Sequence, residues 1–161
     1  MRLMKILHKI EEHFVGIGMI AATGILFMNI ILRNLFSAST TWAEEFIRYA
    51  FIWITFIGLS ICFRKGIHFG VDLLMNSLKA KEKKIILQAF VNVASLVFML
   101  FLLKFGLDIV FFSMETGQIT PALQIKIYWI YLAIPTGAVL SIIHIVINMW
   151  QLFKNKEISY D

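Results

Sequence analysis

The chain has 161 residues, 60% of them hydrophobic and 16% charged, a balance that leaves more apolar side chains than one water-soluble core of this size can hide. Its formal net charge of +5 comes from lysines and arginines gathered in short polar stretches between apolar runs, a topology signal that excludes a nucleic-acid surface, where basic residues interleave with exposed aromatics. The single cysteine, Cys62, excludes a disulfide framework, a CxxC pair and a thiolate metal site.

Taken in chain order, Arg2, Lys5 and Lys9 precede an apolar run from Phe14 to Leu32. This run is too long for the core of a cleaved signal and reads as an uncleaved first membrane helix. Ser37 to Thr41 forms a polar external loop, and Thr41-Trp42-Ala43-Glu44 fits a capping box that starts the second helix at Trp42. That helix runs to Phe63 and is closed by Arg64-Lys65-Gly66, basic residues followed by a glycine able to cap.

Ile67, Val71, Leu74 and Leu78 then recur at amphipathic spacing, with His68, Asp72 and Asn76 on the other side. This predicts an interfacial helix over about 67–79, its Lys79 to Lys84 run meeting lipid headgroups. The remaining spans are about 85–103 and 127–150, joined by an external segment that holds Gly117 and Pro121. Pro135 should kink the last helix or be accommodated by a neighbour. Each span is long enough for a hydrocarbon core of about 30 Å.

The expected fold is therefore an all-α integral membrane protein, one four-helix domain over residues 1–161. Eleven of the fifteen basic residues fall before the first span, between the second and third, and after the fourth. The positive-inside rule then puts both termini in the cytoplasm.

The densest polar group is Trp42-x-Glu44-Glu45-x-x-Arg48-Tyr49. On a helix Arg48 reaches either carboxylate, giving an interfacial ion pair with aromatic anchors or a docking point for another membrane protein. His68 and Asp72 sit one turn apart, a polar face first and a proton relay a distant second. His144 lies inside the last span and is expected to hydrogen-bond to a neighbouring helix, as are Asn29, Asn92 and Asn148. Ala133, Gly137 and Ser141 recur every four residues, a smooth stripe for close helix approach. No catalytic, metal or cofactor constellation emerges, so no enzyme is expected. The absence of repeated halves and of paired Gly/Pro interruptions argues against unaided solute translocation.

These motifs, together with Gly66-x-His68-x-x-Val71-Asp72, Thr120-Pro121-Ala122-Leu123 and Tyr131-x-x-Ile134-Pro135-x-Gly137, resemble in order and spacing the small membrane subunit of tripartite ATP-independent periplasmic (TRAP) transporters. The family pattern often carries a proline shortly after the Pro-Ala-Leu stretch, where this chain reads Gln124-Ile125-Lys126. The resemblance implies a bacterial inner-membrane protein packed among lipids beside a large transport subunit that holds the substrate and sodium sites. It further implies a periplasmic substrate-binding protein as co-worker, no cofactor in this chain, and an organic acid as cargo, of the C4-dicarboxylate or sialic acid type. The implied role is to anchor and enlarge the scaffold against which the large subunit moves. Other readings of the residues are a self-sufficient homodimeric transporter and a membrane redox protein built on His144 and His68.

Overall fold

A computed structural model describes residues 2–36, 40–65 and 81–153. The interfacial helix expected over 67–79, with Gly66, His68 and Asp72, lies outside the described residues.

The helices are α1 (Arg2–Phe36), α2 (Thr41–Lys65), α3 (Lys81–Thr116), the single turn α4 (Tyr128–Tyr131) and α5 (Ala133–Phe153). Four stretches are long and apolar enough to cross a membrane: Ile6–Leu35, Thr41–Lys65, Ile86–Thr116 and Tyr128–Leu152. The protein is an all-α integral membrane protein, with large apolar side chains such as Ile20, Phe98, Phe101 and Phe105 turned outward. Such surfaces are stable only where lipid or another protein covers them.

Several limits differ from those expected. The third helix continues thirteen residues beyond Leu103, because neither Lys104 nor Asp108 breaks a helix; both simply stay exposed. The break comes at Gly117, whose φ of +61° suits a residue without a Cβ. At 36 residues, α3 is about 54 Å long, well beyond a hydrocarbon core of about 30 Å. Helix α2 starts at Thr41, one residue early, so Thr41 sits inside the first turn and the expected capping box is displaced. Thr40 takes the flanking position, its carbonyl accepting from Ala43 N–H at 3.1 Å.

The packing order is α1, α2, α5, α3, a row in which α1 and α3 form the ends and, among the described residues, do not pack on each other. The central position of α5 shows in its burial: 44% of its spanning window is covered, against 11% for α1 and for α3. The α2–α5 seam is the small-residue stripe. Ala133 and Ser141 are wholly buried, and a Cβ on Gly137 would lie 2.5 Å from the Phe56 carbonyl oxygen. No side chain fits there, so the expected close approach is found and its partner is the α2 backbone. Phe63, Met99 and Ile145 close the core beside it.

Proline again interrupts the last span. Pro135 has no N–H to offer the Tyr131 carbonyl, and the helix breaks at Leu132 between α4 and α5. Gly106 on α3 makes room for it: a Cβ there would lie 2.8 Å from Ile134 Cγ2 and 3.2 Å from Pro135 Cδ.

Candidate functional site

Two buried polar clusters tie the row together, one at each end. At the end that carries the α1–α2 and α3–α4 connections, residues 117–127 fold into a compact hairpin. Ile119 and Lys126 form an antiparallel bridge. Thr120 N–H donates to Ile125 O at 2.9 Å, and Gln124 N–H to Thr120 O at 3.1 Å. Thr120 is wholly buried, and its Oγ1 accepts the Ile125 N–H at 3.2 Å. Gln124 sits at φ +52°, a conformation closed to proline.

The turn begins at Pro121 and leaves the successive N–H groups of Ala122 and Leu123 without an acceptor inside the hairpin. Glu45 supplies one. Its Oε1 accepts from Ala122 N–H at 3.1 Å and its Oε2 from Leu123 N–H at 2.9 Å. Two adjacent amides make a small anion nest, and the carboxylate that fills it is buried in the first turns of α2. Tyr49, one turn on, approaches Thr120 of the same hairpin. Asn29 of α1 completes this end, its Oδ1 accepting both the N–H and the hydroxyl of Thr40, at 3.2 and 3.0 Å.

Glu45 is thus committed to the hairpin rather than to Arg48, which corrects the expected ion pair. Among the described residues no carboxylate lies within ion-pair distance of Arg48, and both Arg48 and Glu44 are exposed. Trp42 is also exposed, as an interfacial anchor would be.

At the opposite end, Glu11 of α1 meets His144 of α5 with carboxylate–imidazole distances of 3.1 and 3.3 Å. The Ser60 hydroxyl of α2 lies 3.2 Å from the same carboxylate and shares its single hydrogen between it and the Ile57 carbonyl at 2.7 Å. All three side chains are buried. His8 stacks obliquely on His144, ring centroids 5.4 Å apart. Nearby, Arg64 pairs with Glu12, and Asn148 Nδ2 donates to the Phe63 carbonyl at 2.8 Å, satisfying an acceptor near the end of α2. The expected neighbour-helix bonds of His144 and Asn148 are found, while Asn29 bonds to Thr40, just ahead of α2. Asn92 Nδ2 is buried with no partner among the described residues.

Sequence reading missed Glu11, because it precedes the apolar run and resembles a solvated charge. The available signal was His144 itself: an imidazole inside a span needs a polar partner at its own depth, and the acids just ahead of the first span are Glu11 and Glu12, of which the fold turns Glu11 inward. Between the two clusters, α1, α2 and the hairpin enclose an apolar groove of about 450 Å³ lined by Ile17, Gly18, Tyr49, Trp53, Leu123 and Trp129 among others. Among the described residues no three His, Cys, Asp or Glu side chains converge as a metal site.

One cluster ties α2 to the hairpin and α1 to the α2 entry, and the other joins α1, α2 and α5. Residues 22–155 match the model of the family described as tripartite ATP-independent periplasmic transporters, DctQ component. The chain belongs to this family. Among similar TRAP proteins, the sialic acid TRAP transporter permease SiaT of Haemophilus influenzae is 31% identical over 85% of this chain, which spans 22% of that protein. The C4-dicarboxylate small permease DctQ of Vibrio cholerae is 38% identical over 53% of this chain and 36% of its own length. The ectoine small permease TeaB of Halomonas elongata is 26% identical over 84% and 70%. Membership of this family and four helices long enough to cross a membrane make the chain a multi-pass membrane component of a transport system. The TRAP motifs that the sequence displays now have a physical content. Glu45 of the first grips the backbone of Pro121-Ala122-Leu123, while Pro135 and Gly137 form the two tight contacts of α5.

Proposed function

We infer that this chain is the small accessory subunit of a sodium-coupled TRAP transporter importing an organic acid, and that it serves as a fixed scaffold anchoring the large transport subunit. The observation that carries this reading is the helix row pinned at both ends by buried polar contacts, Glu45 to the hairpin amides and Glu11 to His144 and Ser60. A unit that must slide or rock needs seams that part; these seams are closed by backbone contact at Gly137 and by groups costly to leave unpaired. The wide apolar outer surface supports a role beside another membrane protein. The relatives' named cargoes, sialic acid, C4-dicarboxylate and ectoine, agree with small organic solutes as a class. The distribution of basic residues supports both termini in the cytoplasm.

Reconstituted vesicles test the function. Uptake of a labelled organic acid should need this chain, the large subunit, the binding protein and an inward sodium gradient together. Uptake by this chain alone would replace the scaffold reading with that of a self-sufficient transporter.

A further inference from the structure

Helix α2 is flanked by α1 and α5, which do not pack on each other along their lengths among the described residues, so α2 keeps two free faces. The first carries the groove, to which Tyr49, Ala50, Trp53 and Ile54 contribute. The second is marked by Glu44, Arg48, Phe51, Thr55 and Cys62, exposed residues at spacings of four, three, four and seven, one continuous helical stripe. At about 100° per residue, Arg48 lies roughly 140° around the helix from Trp53, so stripe and groove look in different directions.

Their chemistry differs as sharply. The groove face is aromatic and aliphatic, the lining that lipid chains tolerate. The stripe places Arg48 about 10 Å along the spanning helix and Thr55 about 10 Å further, near mid-span. A guanidinium cannot shed its charge, so it must find an anion. Among the described residues none is offered: the acid three residues before it is spent on Ala122 and Leu123, and Glu44 makes no ion pair there. Arg48 alone could stretch toward lipid phosphates, but Thr55 is too short and too deep to follow.

We propose that the Glu44–Arg48–Thr55 face of α2 is the surface on which the large membrane subunit docks, with a carboxylate of that subunit opposite Arg48, and that the groove face is turned to lipid. This rests on the accessory-subunit reading and adds to it which side of the helix row is the interface.

Site-specific photocrosslinking in native membranes tests it, with benzoylphenylalanine replacing Phe51, Thr55, Ile17 or Trp53 one at a time in the full transporter. Positions 51 and 55 should capture the large polytopic partner and positions 17 and 53 should not. Partner captured from 17 or 53 overturns the assignment, and so do phospholipid adducts alone at 51 and 55. No partner from any position overturns the accessory-subunit reading as well, which separates the two failures. In parallel, Arg48→Glu should lower co-purified partner at least tenfold while Arg48→Lys retains most of it; equal recovery from both would remove the carboxylate.

Discussion

Replacing Glu45 by glutamine keeps the shape of the side chain and removes the charge that two backbone amides share. In the native chain Oε1 and Oε2 accept from Ala122 and Leu123 at 3.1 and 2.9 Å. Glutamine can satisfy one of these amides with its oxygen, but its NH2 group then faces the other N–H, donor against donor. One charge-assisted bond is weakened to a neutral one, and one part-buried amide is left unmet. With hydrogen bonds to charged groups contributing about 1.5 to 3 kcal/mol, the change should cost about that much. For a chain of this length it lowers the thermal midpoint by about 3 to 12 °C. Unfolding can be followed by intrinsic fluorescence in detergent, since Trp53 and Trp129 line the groove beside the hairpin. Amide hydrogen exchange adds the local readout, with protection falling at Ala122 and Leu123 first. The neighbouring Glu44→Gln, at an exposed site, should stay within about 0.5 kcal/mol of the parent. Equal midpoints for the two variants, with unchanged exchange at Ala122 and Leu123, would refute the claim that Glu45 holds the hairpin.

Gly137→Ala should cost about 1 to 3 kcal/mol, because the new Cβ would fall 2.5 Å from the backbone oxygen of Phe56. The same change at Gly24, with nothing within 4 Å, should stabilise α1 by about 0.5 to 1 kcal/mol, and thermal midpoints of the two variants decide whether the seam is the cause. His144→Leu should cost about 3 to 5 kcal/mol by leaving Glu11 buried with Ser60 alone. Adding Glu11→Leu should recover most of that loss, whereas strictly additive losses would show that the two side chains do not act as a pair. Gly117→Val should lower stability by about 1 to 2 kcal/mol through its left-handed backbone alone, and Gly117→Asn by less, which chemical denaturation can rank.

What the sequence made legible follows from how each feature is encoded. Membrane helices are written locally, in runs of apolar residues, so four spans and their order could be read directly. Their ends could not. Lys104 and Asp108 look like a boundary on a hydropathy count, yet a helix tolerates both, and only Gly117 imposes a backbone that stops it. The small-residue stripe was readable because a spacing of four has one geometric meaning on a helix. The partner of Glu45 was not, since it lies 77 residues away and consists of backbone amides, which leave no mark in side-chain patterns. The helical spacing of Glu45 and Arg48 suggested a local ion pair, and a non-local contact won because two converging amides hold a carboxylate in fixed geometry. Glu11 was hidden for a related reason: its burial is created by α2 and α5 and not by its own neighbours in sequence.

The scaffold role requires that this chain work as part of a larger membrane complex. Affinity purification of the tagged chain from its native membrane in mild detergent, with mass spectrometry of what stays bound, measures that directly. Recovery of a large polytopic membrane protein in equal amount is the predicted result, and recovery of this chain alone as a stable homodimer would contradict it.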